Sequence, residues 1–287
     1  MSMTFYVTEV FAEGPYAGNQ LATLSDAASL SSEEMQKIAR AFNFAETTFI
    51  VGGSLSSGYD VRIFTPMSEL PFAGHPTLGT SYLIRHVLPE TIEEAGLVNT
   101  ITLNLGVGSI PVEFGDDGVL WMTQKPPVFG ETFKSSEVAQ ALGLSIDDID
   151  ESYPCQMVST GLSFLVVPLA SYDALTRAKV LGESLSESCF VFCKGGYNDQ
   201  QQIQARMFAG ALGVSEDPAT GSANGCLAGY LSHHELFGSS RVDIRVGQGY
   251  EIARPSQLYL RSQPHDGEIE VRVGGKVSLV ASGQWLI

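Results

Sequence analysis

Basic residues are scarce in this chain: 16 Lys and Arg stand against 32 Asp and Glu, which gives a formal net charge of −16 at pH 7. Nucleic acid and anionic membranes repel so acidic a protein, and we expect neither as a partner. Long apolar runs are also missing, so no membrane-spanning helix is expected. Because residues 1–7 lack the basic region and apolar core of a signal peptide, we expect a cytoplasmic protein.

Cysteine and histidine are few, at four and five residues. Cys189 and Cys193 have the spacing of half a metal site, but the sequence has no second Cys or His pair to complete the ligand set. His234 begins a sequence like a zinc-protease helix, with Gly238 where the second His would stand. We therefore expect buried reduced thiols, no metal and no disulfide framework. Gly106-Val107-Gly108 precedes a strand pattern, which disfavours a dinucleotide site, and we expect no cofactor.

Two glycine turns, Ala73-Gly74-His75-Pro76-Thr77 and Thr220-Gly221-Ser222-Ala223-Asn224, occupy the two halves of the chain. Each follows an Arg-x-Phe strand pattern and precedes a small-residue apolar segment that we interpret as a buried helix. Lys and Arg are absent from residues 65–84 and 209–240. A carboxylate bound at these turns would therefore be met by backbone N–H groups and the helix dipole. The alternative is that both glycines merely permit tight turns.

Strand and helix patterns recur in the same order in both halves, which indicates a divergent duplication. Ser31 and Glu34 form a capping box ahead of an amphipathic helix. The predicted strands of the first half are 4–10, 19–24, 47–51 and 59–64. In the second half we predict a helix at 135–142 and strands at 163–167 and 204–208, with 163–167 taken as the equivalent of 47–51. Gly274-Gly275 is predicted to form a hairpin turn.

These patterns predict an α+β fold of two pseudo-symmetric halves, each a curled, mostly antiparallel sheet around one buried helix. The helix N-termini are expected to face a shared cleft. Because Pro126-Pro127 interrupts regular structure, we place the halves at residues 1–125 and 126–287, with the last strand free to return to the first half.

Glu46 is the first candidate for acid/base chemistry. Its neighbours Phe42, Phe44 and Phe49 are apolar, and burial of a carboxyl group raises its pKa towards neutrality. On local sequence alone, a solvent-facing Glu at a strand start is the favoured interpretation. We expect the equivalent place in the second half near Gly161, where no acid stands. A carboxylate with no equivalent in the other half favours one-base chemistry over two-base racemisation.

Asp217 stands four residues ahead of Gly221, where it can cap the turn or hold a substrate amine or hydroxyl. Glu69 is its possible counterpart, with a structural role preferred. Asn19 can donate and accept hydrogen bonds and is a candidate for orienting a ligand. Ser222 does not lie in a Gly-x-Ser-x-Gly elbow, so we expect it to bind rather than to act as a nucleophile.

Several of these motifs occur in the order found in one known family: Gly18-Asn19, Ala45-Glu46-Thr47-Thr48-Phe49, Arg62-Ile63-Phe64-Thr65-Pro66, Glu69-Leu70-Pro71-Phe72-Ala73-Gly74-His75 and Glu216-Asp217-Pro218-Ala219-Thr220-Gly221-Ser222-Ala223. Together they resemble the phenazine-biosynthesis PhzF-like family over nearly the full chain. The resemblance implies the diaminopimelate-epimerase-like fold and a cofactor-independent homodimer with its active site between two halves. It implies isomerisation of trans-2,3-dihydro-3-hydroxyanthranilate by a proton shift.

The resemblance also assigns roles to particular residues. Glu46 matches the acid/base carboxylate, His75 and Asp217 match ligand-contacting catalytic residues, and Gly74, Gly221 and Ser222 fall at the substrate-binding turns. Gln20, Pro76 and Asn224 depart from the commonest family pattern. Of these, Asn224 bears on which substrate is bound.

The sequence leaves two other functions open. One is an epimerase or racemase for an amino-acid-like carbon, which would need His75 as a second base. The other is a non-catalytic protein of the family that binds a small molecule. Of the three functions, an isomerase that acts on a small carboxylate-bearing substrate fits the residues best.

Overall fold

The computed structural model describes residues 2–88, 91–95, 97–181, 188–209 and 214–286. Close backbone contacts divide the chain into two compact units. Unit 1 comprises Met1–Met122 and Gly274–Ile287, and unit 2 comprises Thr123–Val273. The chain therefore returns to unit 1 at its end.

Among the described residues, unit 1 contains three α-helices, nine strands in whole or in large part, and the last two residues of a tenth. Its helices are α1 (Ser32–Phe42), α2 (Gly74–His86) and α3 (Ile92–Ala95). Its strands are β1 (Ser2–Val10), β2 (Asn19–Leu24), β3 (Glu46–Ser54), β4 (Gly58–Phe64), β5 (Glu69–Leu70), β6 (Thr100–Leu105), β7 (Gly108–Phe114), β8 (Leu120–Gln124) and, from the end of the chain, the last residues of β17 (Glu268–Gly275) and all of β18 (Val277–Leu286).

Unit 2, as far as the structure describes it, contains three further α-helices and the remaining strands. Its helices are α4 (Ser135–Ala141), α5 (Tyr172–Arg177) and α6 (Gly221–His233). Its strands are β9 (Val128–Phe133), β10 (Cys155–Ser159), β11 (Ser163–Pro168), β12 (Cys189–Lys194), β13 (Ile203–Ala209), β14 (Val214–Asp217), β15 (Val242–Gln248), β16 (Ser256–His265) and most of β17.

The strand pairing of the two units follows one scheme. In unit 1, β2 runs parallel to β3 and β3 runs antiparallel to β4, and β4 pairs antiparallel with β5 and parallel with β6. In unit 2, β11, β12, β13, β14 and β15 repeat these relations in the same order. Four strand pairings that match in direction and order confirm the predicted α+β fold and support its origin by duplication.

The central helix is α2 in unit 1 and α6 in unit 2, and each of them is buried over most of its length. Strands of its own unit surround it: α2 contacts β1, β2, β3, β6, β7 and β18, and α6 contacts β10, β11, β15 and β16. Glycine, alanine, serine and threonine make up 12 of the 26 residues of the two helices, since a helix enclosed by a sheet has little room for large side chains.

Local sequence signals set the boundaries of several elements. The predicted capping box of Ser31 and Glu34 is present ahead of α1, whose buried residues are Met35, Ile38 and Ala39. Strand β2 has the predicted bounds. No helix among the described residues is long and apolar enough to cross a membrane.

The predicted hairpin at Gly274-Gly275 was wrong, because both glycines end strand β17. A side chain at Gly274 would stand 2.8 Å from the Trp121 ring, and one at Gly275 would overlap the Phe11 ring. These glycines make room for aromatic side chains rather than for a turn.

The predicted match of residues 163–167 to residues 47–51 was also wrong. Arg62 pairs with Phe49 across β3 and β4, and Arg206 pairs with Val191 across β12 and β13. The equivalent of β3 is therefore β12, and strand β11 corresponds to β2. The error arose because β11 and β12 are both short apolar runs, which local sequence does not distinguish.

Candidate active site

Helix α2 begins at Gly74 without a side-chain cap. Its N-cap residue is Ala73, which has no polar side chain, and its first turn contains no acidic residue. The N–H groups at a helix start lack intrahelical partners and carry partial positive charge. The start of α2 is therefore suited to an anion from outside the helix.

Glu46 and His75 meet beside this helix start. Glu46 opens β3, and His75 is the second residue of α2. The distance from Glu46 Oε2 to His75 Nε2 is 3.4 Å, with side-chain exposures of 16% and 6%. The local sequence had left burial of Glu46 open, and the structure places its carboxyl group largely out of solvent.

Asn19 lies at the same edge of the sheet. Leu21 of β2 is paired in parallel with Glu46, and Asn19 precedes Leu21 by two residues on that strand. Its side chain is buried. Asn19, Gly74, Glu46 and His75 thus form one group within unit 1.

Burial controls the charge of His75. Desolvation lowers the pKa of its imidazole to about 3, although a hydrogen bond to the Gln20 backbone favours the protonated form. Because Nε2 faces Glu46, the bond to the Gln20 carbonyl is made by Nδ1. His75 is therefore neutral at physiological pH with its hydrogen on Nδ1, and Nε2 is a hydrogen-bond acceptor directed at the carboxyl group.

In unit 2, Asp217 and the start of α6 form a second group. Asp217 ends β14, and the Thr220 hydroxyl donates a hydrogen bond to Asp217 Oδ2. Since Thr220 is the N-cap of α6 and its hydroxyl bonds Asp217, it makes no side-chain cap, and the first turn again contains no acidic residue. Gly221 and Ser222, the first two residues of α6, are both buried.

Two glutamines that sequence reasoning missed hold the start of α6. Gln124 donates a hydrogen bond to the Gly221 carbonyl, at 3.0 Å. Gln248 accepts one from the Thr220 N–H, at 3.3 Å. Both residues end strands that are far from Gly221 in sequence, so no local motif predicts their contacts with it. A side chain at Gly225 would overlap Gln124, which explains the glycine there.

The four cysteines are buried and free, as predicted. Burial raises the pKa of the Cys226 thiol to about 11 and that of Cys155 and Cys193 to about 12. Cys226 lies one turn beyond Ser222, with its sulfur 3.7 Å from the Thr160 hydroxyl. These thiols are protonated at physiological pH and supply no nucleophile.

Strand register corrects the expected equivalences between the two groups. Glu46 corresponds to Ser188, not to the neighbourhood of Gly161, because Thr47 and Cys189 hold matching positions beside β4 and β13. No acid stands at either place. Glu69 corresponds to Glu216 rather than to Asp217, whose equivalent is Leu70.

A pocket of about 450 Å³ opens elsewhere on unit 1, along β4, β5 and β6. Its polar lining includes Asp60, Arg62, Glu69 and Asn104, and it contains neither Glu46 nor His75. Arg62 already forms two hydrogen bonds with Glu69, each 2.7 Å long. The buried pair at the start of α2 is the better candidate for chemistry.

Comparison with known proteins identifies the family of the chain. The family of phenazine biosynthesis-like proteins matches residues 8–283. The chain belongs to this family. A trans-2,3-dihydro-3-hydroxyanthranilate isomerase of Pseudomonas aeruginosa is 33% identical over 289 residues, covering 98% of this chain and 98% of that protein. An uncharacterized isomerase of Clostridium acetobutylicum is 32% identical, covering 98% of this chain and 97% of that protein.

Solved structures agree with this assignment. A PhzF-family phenazine biosynthesis protein of Bacillus anthracis has a TM-score of 0.87 at 27% identity, with both chains fully covered. A hydroxyproline epimerase of Agrobacterium vitis has a TM-score of 0.60 at 11% identity, covering 99% of this chain and 91% of that one, which shows the shared fold alone. This phenazine biosynthesis-like protein is an isomerase.

Proposed function

We propose that this protein is a cofactor-independent isomerase that moves a proton between two carbons of a small carboxylate-bearing substrate, with Glu46 as the acid/base group. The observation that carries the proposal is the buried contact of Glu46 with a neutral His75, at 3.4 Å. A positioned carboxyl group in such a site contributes roughly 10²–10⁴-fold to proton transfer.

His75 supports the proton-carrying state of Glu46. In the reaction, the Glu46 carboxylate takes a proton from one substrate carbon and returns it to another, so that the substrate formula is unchanged. While Glu46 carries the proton, His75 Nε2 accepts a hydrogen bond from the carboxylic acid. A protonated imidazole would instead stabilise the carboxylate, and burial of His75 disfavours that state.

The polar groups of the substrate are assigned by chemistry. The N–H groups assigned to its carboxylate are those at an uncapped helix start, around Gly74 in unit 1 or around Gly221 and Ser222 in unit 2. Asp217 binds an amine or hydroxyl, and Asn19 orients the ligand. The substrate named for the Pseudomonas aeruginosa relative carries a carboxylate, an amine and a hydroxyl group. We therefore propose trans-2,3-dihydro-3-hydroxyanthranilate, or a close analogue, as the substrate.

A single base agrees with the residues of unit 2. Two-base epimerisation needs an acid/base group on each face of the reacting carbon. In unit 2 the equivalents of Glu46 and His75 are Ser188 and Ser222, and an unactivated serine hydroxyl is a poor base at neutral pH. The buried thiol of Cys226, with its pKa near 11, does not replace them.

The test is conversion of trans-2,3-dihydro-3-hydroxyanthranilate followed by proton NMR. Wild type is compared with Glu46→Gln, and with Glu33→Gln, which makes the same chemical change at an exposed residue of α1. We expect turnover by wild type and Glu33→Gln, and a loss of at least roughly 10²-fold in Glu46→Gln. Substantial activity of Glu46→Gln would overturn the assignment of the base. Failure of the wild type to convert the compound would exclude this substrate.

A further inference from the structure

Gln248 contacts both functional parts of the unit 2 group. It ends β15 and has no exposed surface. Its Nε2 donates to the Asp217 backbone carbonyl at 2.9 Å and to the Thr220 hydroxyl at 3.3 Å. Its Oε1 accepts from the Thr220 N–H at 3.3 Å and from Asn224 Nδ2 at 2.9 Å. Both donor hydrogens and both lone pairs of the amide are therefore used.

These bonds have a fixed direction. The Asp217 carbonyl can only accept, so Gln248 Nε2 must face it and Oε1 must face the Thr220 N–H. Because the Thr220 oxygen accepts from Gln248, its hydrogen is directed to the Asp217 carboxylate. Gln248 thus holds Asp217 twice, through the backbone carbonyl and, by way of Thr220, through the carboxylate.

Unit 1 shows that the fold does not require this network. By strand register, Leu105 is the equivalent of Gln248, and Leu70 is the equivalent of Asp217. Counting from Gly74 and Gly221, Ala73 replaces Thr220 and Thr77 replaces Asn224. The same strand order is therefore built in unit 1 without the glutamine, the aspartate or the N-cap hydroxyl.

We propose that Gln248 is a positioning residue of the isomerase, which holds Asp217 and the first turn of α6 in the arrangement that binds substrate. The proposal rests on the proposed role of Asp217 in the reaction. The network satisfies every hydrogen-bonding group of a fully buried amide, yet unit 1 has the same fold without it. Its presence in unit 2 is therefore explained by the site that it supports. A displacement of about 1 Å in a site can reduce turnover roughly 10²-fold.

The test compares three variants in kinetics with trans-2,3-dihydro-3-hydroxyanthranilate. Gln248→Leu introduces the residue that unit 1 carries at Leu105. Gln248→Glu retains acceptors for Thr220 N–H and Asn224 and loses the donors to the Asp217 carbonyl and the Thr220 hydroxyl. Gln204→Leu is the matched control, because Gln204 is also buried in unit 2 and its side chain contacts Cys193. We expect kcat/KM to fall at least tenfold in both Gln248 variants and less than threefold in Gln204→Leu, with cooperative thermal unfolding in all.

Hydrogen exchange tests the role of Gln248 independently of whether the proposed substrate is correct. We expect faster amide exchange at residues 217–224 in Gln248→Leu and unchanged exchange there in Gln204→Leu. Should the wild type not convert the compound, exchange alone decides: unchanged protection of residues 217–224 in Gln248→Leu would overturn the proposal. With an active wild type, Gln248→Leu and Gln248→Glu activities within threefold of it would also refute it.

Discussion

The imidazole of His75 contacts a carboxyl group and is nonetheless neutral. An ion pair would place two charges in a site where both side chains are largely buried, and the desolvation of His75 outweighs the hydrogen bond to the Gln20 backbone. The result is a pair that is suited to carry one proton rather than to form a fixed salt bridge. This is the property that acid/base chemistry requires at neutral pH.

The same burial makes folding depend on pH. The pKa of His75 is 6.5 when unperturbed and about 3 in the fold. Between these values the unfolded chain binds a proton that the folded protein excludes, so the free energy of unfolding falls as the pH falls, by up to about 1.4 kcal/mol per unit. The contribution is fully present above pH 6.5 and is lost towards pH 3.

Replacement of His75 by Gln removes this titration. From pH 6.5 to 5, we expect urea denaturation to show a decline in the free energy of unfolding that is roughly 2 kcal/mol smaller in His75→Gln than in wild type. His265→Gln, at an exposed histidine, should follow the wild-type curve. An equal decline in wild type and His75→Gln would mean that His75 is not held neutral by burial.

At the scale of elements, each short strand that leads to a helix start is tied by an arginine–glutamate pair. Arg62 binds Glu69 of β5, and Arg206 binds Glu216 of β14. Glu69 and Glu216 each stand five residues ahead of the first glycine of the helix, in a shared Glu-x-Pro-x-x-Gly pattern. The surroundings differ: Arg206 also donates to the carbonyls of Leu175, Thr176 and Ala178 at the end of α5.

The two pairs offer a matched test of burial. The Arg206–Glu216 side chains are 10% and 8% exposed, whereas those of Arg62–Glu69 are 29% and 43% exposed. Arg206→Leu leaves a buried carboxylate without its partner, at a cost of about 3–5 kcal/mol. Arg62→Leu should cost at most about 1 kcal/mol, because solvent screens the remaining charge. Equal losses in chemical denaturation would contradict this account of the pairs.

Element prediction succeeded where short-range chemistry decides the structure. The capping box of Ser31 and Glu34 and the strand Asn19–Leu24 are signals contained in a few consecutive residues. Prediction failed at Gly274-Gly275 because the reason for those glycines is the nearby rings of Trp121 and Phe11, which sequence proximity does not show.

At the scale of the whole molecule, a duplicated scaffold carries unlike sites. The paired helix starts could be predicted from the two glycine turns, and so could the candidate residues Glu46, His75 and Asp217. The supporting glutamines could not, since Gln124 and Gln248 reach the start of α6 from distant strands. The equivalence of Glu46 with Ser188 likewise emerged only from strand register. Sequence therefore supplied the candidate residues, whereas the tertiary contacts that position them are visible only in the fold.

The divergence of the units is the basis of the functional account. Unit 1 has the Glu46–His75 pair, and unit 2 has Asp217 with its amide network, while each lacks the other's groups at equivalent positions. We propose that the Glu46–His75 pair of unit 1 transfers the proton and that Asp217 of unit 2 binds an amine or hydroxyl group. A symmetric pair of bases, which inversion of a carbon centre requires, has no counterpart in these residues.

The most direct test of this one-base account is the stereochemical fate of substrate in D₂O. Wild-type protein is incubated with trans-2,3-dihydro-3-hydroxyanthranilate to partial conversion, and recovered substrate and product are analysed by NMR and chiral chromatography. We predict isomerised product formed by proton delivery to one face, with recovered substrate of unchanged configuration. Recovered substrate that contains deuterium and has inverted configuration would show a second base on the opposite face and contradict the account.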